Sequence, residues 1–323
     1  MAMDLKEKLA LIAGNTAEIV KAEELEKLLK EKKKPVAYCG YEPSGEVHMG
    51  HMITVTKLMD LEKAGFNVKV LFADWHAWLN RKGSLDEVRE LVKLWEKAFK
   101  KLGLKDPEFV RGSSFQKKED YIEDVFKLSR DTTINRGLRA MQEVARDAEN
   151  ASISQAIYPL MQVVDMKHLG IDVAQSGIEQ RKIHMLARES LESLGYRKPI
   201  LVHTPLVNSL NGPGTKMSSS EPSSIISVRD PEDLIRKKIA KAYCEEGKPE
   251  GSAVLEIARL FVFPRKGSFE VKRPEKFGGN VEFGNYTELE KAFVAKKLHP
   301  ADLKNALGDY LIELLEPVRK GFE

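Results

Sequence analysis

Val36-Ala37-Tyr38-Cys39-Gly40-Tyr41-Glu42-Pro43-Ser44-Gly45-Glu46-Val47-His48-Met49-Gly50-His51 is the stretch that decides the fold. It opens on a short apolar run bounded by Pro35 and Gly40, which predicts a buried strand over 36–40. Glu42-Pro43-Ser44-Gly45 is turn chemistry. A helical pattern follows over about 48–63, with Met52, Val55, Leu58, Met59 and Leu61 as its apolar positions and Gly65 where a C-cap belongs. Neither GxGxxG nor the P-loop pattern GxxxxGK[ST] follows the strand. Instead His48 and His51 stand at a helix start, three residues apart and expected on one helical face. Free N–H groups and partial positive charge at such a start suit phosphates, and the glycines allow close backbone approach. A nucleotide lying across the carboxyl end of the first strand is the expected ligand.

Outward from this segment, 68–73 reads as the next strand and 85–101 as an amphipathic helix. Strand-helix-strand-helix order implies a parallel sheet with right-handed crossovers. Phe109-Val110, 171–174 and 199–202 continue the strands, 178–194 is a helix, and 5–34 reads as charged helices. The mostly helical stretch over about 113–157 is too long for one crossover and reads as an insertion. Residues 211–224 form a Gly/Ser/Pro-rich loop, and Asp230-Pro231 reads as an N-cap followed by proline at the first helical position. The expected class is α/β: a Rossmann-like parallel-sheet domain over 35–225 with the helical insertion and a 212–224 loop. An N-terminal helical segment over 1–34 precedes it, and a mostly helical domain over 226–323 follows.

The 323 residues, 42% hydrophobic and 31% charged, are ordinary for a soluble enzyme of about two domains. No run approaches the ~18 apolar residues of a membrane span, so no membrane association is expected. Two distant cysteines, Cys39 and Cys244, make no disulfide framework, and a cytoplasmic location is expected. Cys39, in an apolar stretch, reads as packing, and no Cys/His pair has zinc-site spacing. A net charge of +3 says little by itself about a polyanionic partner, but cations cluster at Arg236, Lys237, Lys238 and Lys241 and again at Lys272, Arg273 and Lys276.

Lys216-Met217-Ser218-Ser219-Ser220 lies between Gly212/Gly214 and Pro222. On a mobile loop, its lysine can meet charge developing on a transferring phosphate. Alone, either motif is weakly specific. Together, His48-Met49-Gly50-His51 and Lys216–Ser220 resemble the HIGH and KMSKS motifs of class I aminoacyl-tRNA synthetases. Met49 replaces the isoleucine and Ser219 the second lysine, leaving Lys216 as the full charge. The resemblance spans nearly the whole chain and is closest to archaeal tyrosyl-tRNA synthetases. It is carried by 37–45, Ala73-Asp74-Trp75-His76-Ala77, Tyr158-Pro159-Leu160-Met161-Gln162-Val163-Val164-Asp165, Gly177-Ile178-Glu179-Gln180-Arg181-Lys182 and Lys272-Arg273-Pro274-Glu275-Lys276-Phe277-Gly278-Gly279.

The resemblance implies a tyrosine pocket in which Tyr38 and Asp165 hold the phenol, while Tyr158, Gln162 and Gln180 hold and orient the ammonium. Spacing agrees in part, since Tyr158, Gln162 and Asp165 share one helical face. It implies catalytic contacts from His48, His51, Lys216, Ser218 and Ser219, and ATP contacts from Gly40, Glu42, Gly50, Met217 and Ser219. Arg181 and Lys182 are expected at the tRNA acceptor end, and Phe277, His299 and Asp302 at the anticodon. ATP with Mg²⁺ is the implied co-substrate, with no tightly bound protein metal. L-tyrosine, tRNA(Tyr) and a second copy of the chain, meeting through the insertion, are the implied partners. A tryptophanyl-tRNA synthetase and a catalytically inactive RNA-binding relative are the competing readings. Tyr38 with Asp165 suits a phenol better than an indole, and intact His48, His51 and Lys216 argue against inactivity.

Overall fold

The computed structural model describes residues 3–144, 150, 152–219 and 221–322. Ser220 of the second motif, residues 145–149 and 151 of the expected insertion, and Met1-Ala2 lie outside the described residues. The chain forms two compact units, one of Met1–Ser44, Lys57–Glu96 and Leu104–Pro205, the other of Gly45–Thr56, Lys97–Gly103 and Leu206–Glu323.

The first unit is built on a six-stranded sheet. Its strands are β1 (Glu18–Val20), β2 (Val36–Tyr41), β3 (Asn67–Phe72), β4 (Glu108–Arg111), β5 (Val173–Gly177) and β6 (Ile200–Thr204), in the order β1-β6-β5-β2-β3-β4. Strands β2 to β6 run parallel, as expected from the alternation of strand and helix. β5 and β6 are buried at every position, the continuous pattern of strands covered on both faces. β1 corrects the all-helical reading of 5–34. It pairs antiparallel with β6, Glu18 opposite His203, between helices α1 (Leu5–Ala13) and α2 (Ala22–Glu31). Three residues are too few for a period-2 signal, and their partner is far away in sequence.

Helix α3 (Met49–Lys63) ends at Gly65, whose φ of +99° is the left-handed cap that glycine adopts without a Cβ penalty. α4 (Asp74–Leu79) follows β3, and α5 (Leu85–Phe99) buries Val88, Val92 and Trp95. The inserted segment supplies α6 (Glu119–Asp131) and α7 (Ile134–Met141), followed by α8 (Ile153–His168). Tyr121, Val125 and Leu128 of α6 join Tyr158, Leu160 and Val164 of α8 in one core with Tyr38 and Leu71 of the sheet. α9 (Arg181–Ser190) leads back to β6. Because β2 has β5 on one side and β3 on the other, the sheet reverses its winding there, the place where open parallel sheets hold ligands.

The second unit carries the hairpin β7 (Asn208–Ser209) and β8 (Gly212–Lys216), with Asn208 opposite Lys216. This corrects the loop reading of 211–224. Gly212, at φ +111°, and Gly214, at φ +83°, signal a tight turn region that also fits a short hairpin strand. α10 (Glu232–Lys241) begins one residue later than expected, with Pro231 as its N-cap. Asp230 is not the cap, because its carboxylate accepts instead from the Ser227 N–H at 3.0 Å and from Lys238 Nζ at 2.6 Å. α11 (Ala253–Ile257) passes through a π-helical turn into α12 (Phe263–Lys266). The hairpin β9 (Phe269–Val271) and β10 (Val281–Phe283), absent from the mostly helical expectation, precedes α13 (Tyr286–Val294) and α14 (Pro300–Arg319).

Candidate active site

Two constellations form, one in each unit. In the first, α8 presents Tyr158, Gln162 and Asp165 while β2 presents Tyr38, and Tyr38, Tyr158 and Asp165 are buried, Asp165 completely. Asp165 Oδ1 accepts two hydrogen bonds, from Gln116 Nε2 at 2.8 Å and from the Tyr121 hydroxyl at 2.8 Å. Its other oxygen, Oδ2, makes none among the described residues, and neither do His76 Nε2, Gln116 Oε1 or Gln162 Oε1. One unsatisfied buried polar group costs about 1–3 kcal/mol, and more when charged. Several in one place are a cost that folding alone does not select, and such exceptions belong to sites where a ligand completes the bonding.

The electrostatics follow from burial. Desolvation, then the nearby Asp165 charge, hold the Tyr38 hydroxyl well above its ordinary value. The Tyr158 hydroxyl is raised in the same way, by burial and then by Glu42. Both therefore stay protonated donors. Desolvation lifts the Asp165 carboxyl, opposed by His76 and by the hydrogen bonds from Gln116 and Tyr121. Gln180, in the turn before α9, accepts from Gln162 Nε2 at 3.3 Å, so these two expected ligands are brought together. Glu42 is held by Asn80 Nδ2 at 3.2 Å and paired with Lys82. Gly40 is exposed at the carboxyl half of β2.

His76, Gln116 and Tyr121 are absent from the sequence-predicted site. Tyr121 and Gln116 lie within the stretch read as an insertion, and their partner Asp165 is more than forty positions away. His76 sits in a quoted family stretch but gave no periodic or spacing signal. Arg181 and Lys182 stand at the start of α9. Arg181 Nε donates to Glu18 at 2.6 Å, and Lys182 Nζ donates to Gln142 at 2.8 Å and Glu143 at 3.0 Å.

The second unit brings the two motifs against each other. The Met49 N–H donates to the Ile226 carbonyl at 3.0 Å, and His48 bridges Ser227. A Cβ on Gly50 would lie 2.9 Å from His48 Cε1 and 3.7 Å from Met217 Cβ, while one on Gly45 would meet Ser219 at 2.8 Å. Glycine at both positions therefore permits the approach. His48 precedes the helix instead of lying on its face, yet its ring lies against His51, tilted by 42° with centroids 3.9 Å apart. His48 Nδ1 accepts from the Gly50 N–H and His51 Nδ1 from the His48 N–H, each at 3.1 Å. These bonds assign the ring proton to Nε2 in both. Burial pushes His48 down to about 4, so at neutral pH it acts as a neutral donor. Lys216 is exposed at the end of β8, Met217 is buried, and Ser218 and Ser219 are half-buried.

Elsewhere in this unit, Phe277 is 58% exposed in the turn between β9 and β10. His299 caps α14, its Nδ1 accepting from the Ala301 N–H at 3.1 Å, and Asp302 lies in that helix's first turn.

A parallel sheet with polar groups gathered around a buried carboxylate, in a chain that also joins a His-x-Gly-His turn to a Lys-Met-Ser-Ser segment, defines an α/β enzyme. The family described as tRNA synthetases class I (W and Y) matches residues 29–316, and the chain belongs to it. The tyrosine--tRNA ligase of Methanopyrus kandleri is 50% identical over 98% of this chain and 98% of its own length. The crystal structure of the Archaeoglobus fulgidus tyrosyl-tRNA synthetase complexed with L-tyrosine is 51% identical, covers 99% of this chain and 100% of its own, and superposes with a TM-score of 0.96. The Aeropyrum pernix tryptophanyl-tRNA synthetase shares the fold at 22% identity, covering 92% of this chain and 82% of its own, with a TM-score of 0.75.

Proposed function

We propose that this protein is a tyrosine–tRNA ligase, activating L-tyrosine with ATP and transferring it to tRNA(Tyr). The observation that carries the choice of amino acid is the buried Asp165, one oxygen saturated by Gln116 and Tyr121 and the other without a hydrogen bond, on the same core as Tyr38. That is a built acceptor for a hydroxyl, and an indole offers its N–H in a different place and shape. Phenylalanine would leave the site's polar groups unpaired, which is how such pockets reject the analogue that lacks the hydroxyl. For tyrosyl-tRNA synthetases that rejection is already known to be ~10⁵-fold, a value established for the class and not deduced from this geometry.

In the first step the tyrosine carboxylate attacks the α-phosphorus of ATP. The new P–O bond gives tyrosyl-adenylate, and the bond to the β-phosphate breaks to release pyrophosphate. A carboxylate is already ionised at neutral pH, so no general base is needed and catalysis rests on positioning and charge stabilisation. His48 and His51 donate from Nε2 to phosphate oxygens, Lys216 supplies the cation, and Ser218, Ser219 and the backbone near Gly50 and Met217 assist. Gly40 and Glu42 complete the ATP contacts. Tyr158, Gln162 and Gln180 orient the ammonium. Mg²⁺ enters on the nucleotide, with phosphate oxygens and water as its chief ligands. In the second step a ribose hydroxyl of the tRNA end attacks the tyrosyl carbonyl and AMP leaves.

Arg181 and Lys182 serve the acceptor end, and residues 226–323 read the anticodon through Phe277, His299 and Asp302. The protein acts as a homodimer in the cytoplasm. Support for the dimer is the apolar surface of the inserted segment, with Ile122 and Phe126 one helical turn apart on α6 and Phe126 66% exposed. Among the described residues no helix is long and apolar enough to cross a membrane. Pyrophosphate exchange with each of the twenty amino acids tests the reading. Exchange on tyrosine alone is expected. A maximum on tryptophan would replace the substrate, and no exchange at all would leave an RNA-binding relative without activity.

A further inference from the structure

A chain of hydrogen bonds fixes the role of a histidine that the sequence does not single out. Asp165 is an acceptor, so the group 2.8 Å from its Oδ1 must be the amide nitrogen of Gln116. The same nitrogen lies 3.4 Å from His76 Nδ1. An amide NH₂ only donates, so Nδ1 accepts and the ring proton of His76 sits on Nε2. That Nε2–H has no hydrogen-bond partner among the described residues, and the His76 side chain is 1% exposed. It lies 3.7 Å from Asp165 Oδ2, which is equally without a partner. At that separation the two do not bond each other. A donor and an acceptor, both buried and both without a partner among the described residues, thus stand 3.7 Å apart, close enough for one atom to bond to both. A hydroxyl oxygen about 2.8 Å from each does so, giving its proton to Oδ2 and accepting from Nε2.

His76 is also held in place. Asp74 Oδ1 accepts from the Trp75 N–H at 3.0 Å and the Ser113 N–H at 2.8 Å, fixing the start of α4, and the His76 ring stands edge-on to Tyr158 at 4.6 Å. We propose that His76 is a specificity-determining residue of the amino-acid pocket, donating from Nε2 to the phenolic oxygen of the substrate while Asp165 Oδ2 accepts from the phenolic O–H. The inference rests on tyrosine being the substrate. It adds to the reading of the hydroxyl, with Asp165 testing for its hydrogen and His76, beside the Tyr38 donor, for its lone pairs.

The test is kcat/KM for pyrophosphate exchange with tyrosine and with phenylalanine in wild type, His76→Leu and His76→Gln. His76→Leu removes the donor and should lower the tyrosine-to-phenylalanine ratio about tenfold, through the tyrosine value, the size of one net hydrogen bond. Glutamine can place its Nε2 near the lost imidazole nitrogen, so His76→Gln should keep the ratio within about threefold of wild type. Parallel losses for both amino acids in His76→Leu, with the ratio unchanged, would overturn the proposal, as would a His76→Gln ratio that falls with the leucine variant. Wild type without tyrosine exchange would instead sink the substrate assignment itself. If His76→Leu does not fold, the wild-type protein decides: the His76 Nε2–H resonance in ¹⁵N-histidine-labelled protein should move downfield on saturation with tyrosine and not with phenylalanine, and an equal response to both would refute the assignment.

Discussion

Lys216 ends a strand instead of floating on a loop, and its side chain is exposed. In the proposed mechanism the cation reaches a phosphate by side-chain motion from a hairpin held by the Ser209–Thr215 hydroxyl contact at 2.6 Å. Its contribution is made chiefly as charge develops, so Lys216→Ala should slow tyrosine-dependent exchange about a hundredfold, ~3 kcal/mol, with the tyrosine KM nearly unchanged. Steady-state exchange kinetics check this, and a rate within twofold of wild type would remove Lys216 from the reaction. The histidines act differently. With their protons on Nε2 and burial holding His48 down to about 4, His48 donates as a neutral ring across neutral pH. At this scale the sequence was most legible where spacing sufficed. Tyr158, Gln162 and Asp165 fall four and three apart on a helix, and α8 delivers them together. Gln116, Tyr121 and His76 escaped because their grouping depends on one buried carboxylate supplied from elsewhere in the chain.

Among the elements, the turn between β9 and β10 shows how a cluster of cations can be misread by composition. Arg273 joins Lys272 and Lys276 in the sequence as one basic group, but its guanidinium is spent inside the fold. Nε donates to the Gly279 carbonyl at 2.8 Å and Nη1 to the Lys297 carbonyl at 3.0 Å, while its N–H donates to Asn280 Oδ1 at 3.1 Å. These bonds tie the turn carrying Phe277 to the segment that enters His299 and α14. Arg273 is thereby a brace for the proposed anticodon surface, while Lys272 pairs with Glu270 at 3.8 Å and Lys276 Nζ lies over the Phe277 ring, 4.9 Å from its centroid. Arg273→Lys should raise the tRNA KM several-fold, as should Phe277→Ala through the loss of ~1–3 kcal/mol of stacking, with exchange untouched in both. Lys276→Ala should instead lower the slope of log affinity against log salt by about one, and Arg273→Gln, which also removes a charge, should leave that slope alone. Filter binding across a salt series separates the two, and a lowered slope for Arg273→Gln would mean that this side chain meets RNA directly. The same part of the chain shows the limit of reading elements from sequence. Long helices such as α14 declare themselves by period, whereas two- and three-residue strands such as β7 and β9 exist only through their partners.

For the whole molecule, burial of histidine sets the response to acid. His184 and His203 touch, Nδ1 to Nε2 at 3.0 Å, and burial holds His184 well below and His203 below the ordinary histidine value, with His48 at about 4. Unfolded chains take up these protons near pH 6.5. Between the folded and unfolded values the unfolded state binds more protons, so stability is complete above about pH 6.5 and is lost as pH falls towards 4. The loss is about 1.4 kcal/mol per pH unit for each histidine within its window. Melting temperature should fall between pH 7 and 5, and less steeply in His184→Leu. A flat profile in wild type would contradict the assignment.

The sheet itself carries a last consequence. β1 covers the edge of β6, whose five residues are all buried. Strip that covering strand away and β6 becomes a bare apolar margin with its backbone groups unpaired, the kind of surface on which other chains nucleate aggregation. Residues 18–20, short enough to vanish from any pattern, are in effect the molecule's guard against self-recruitment into fibres.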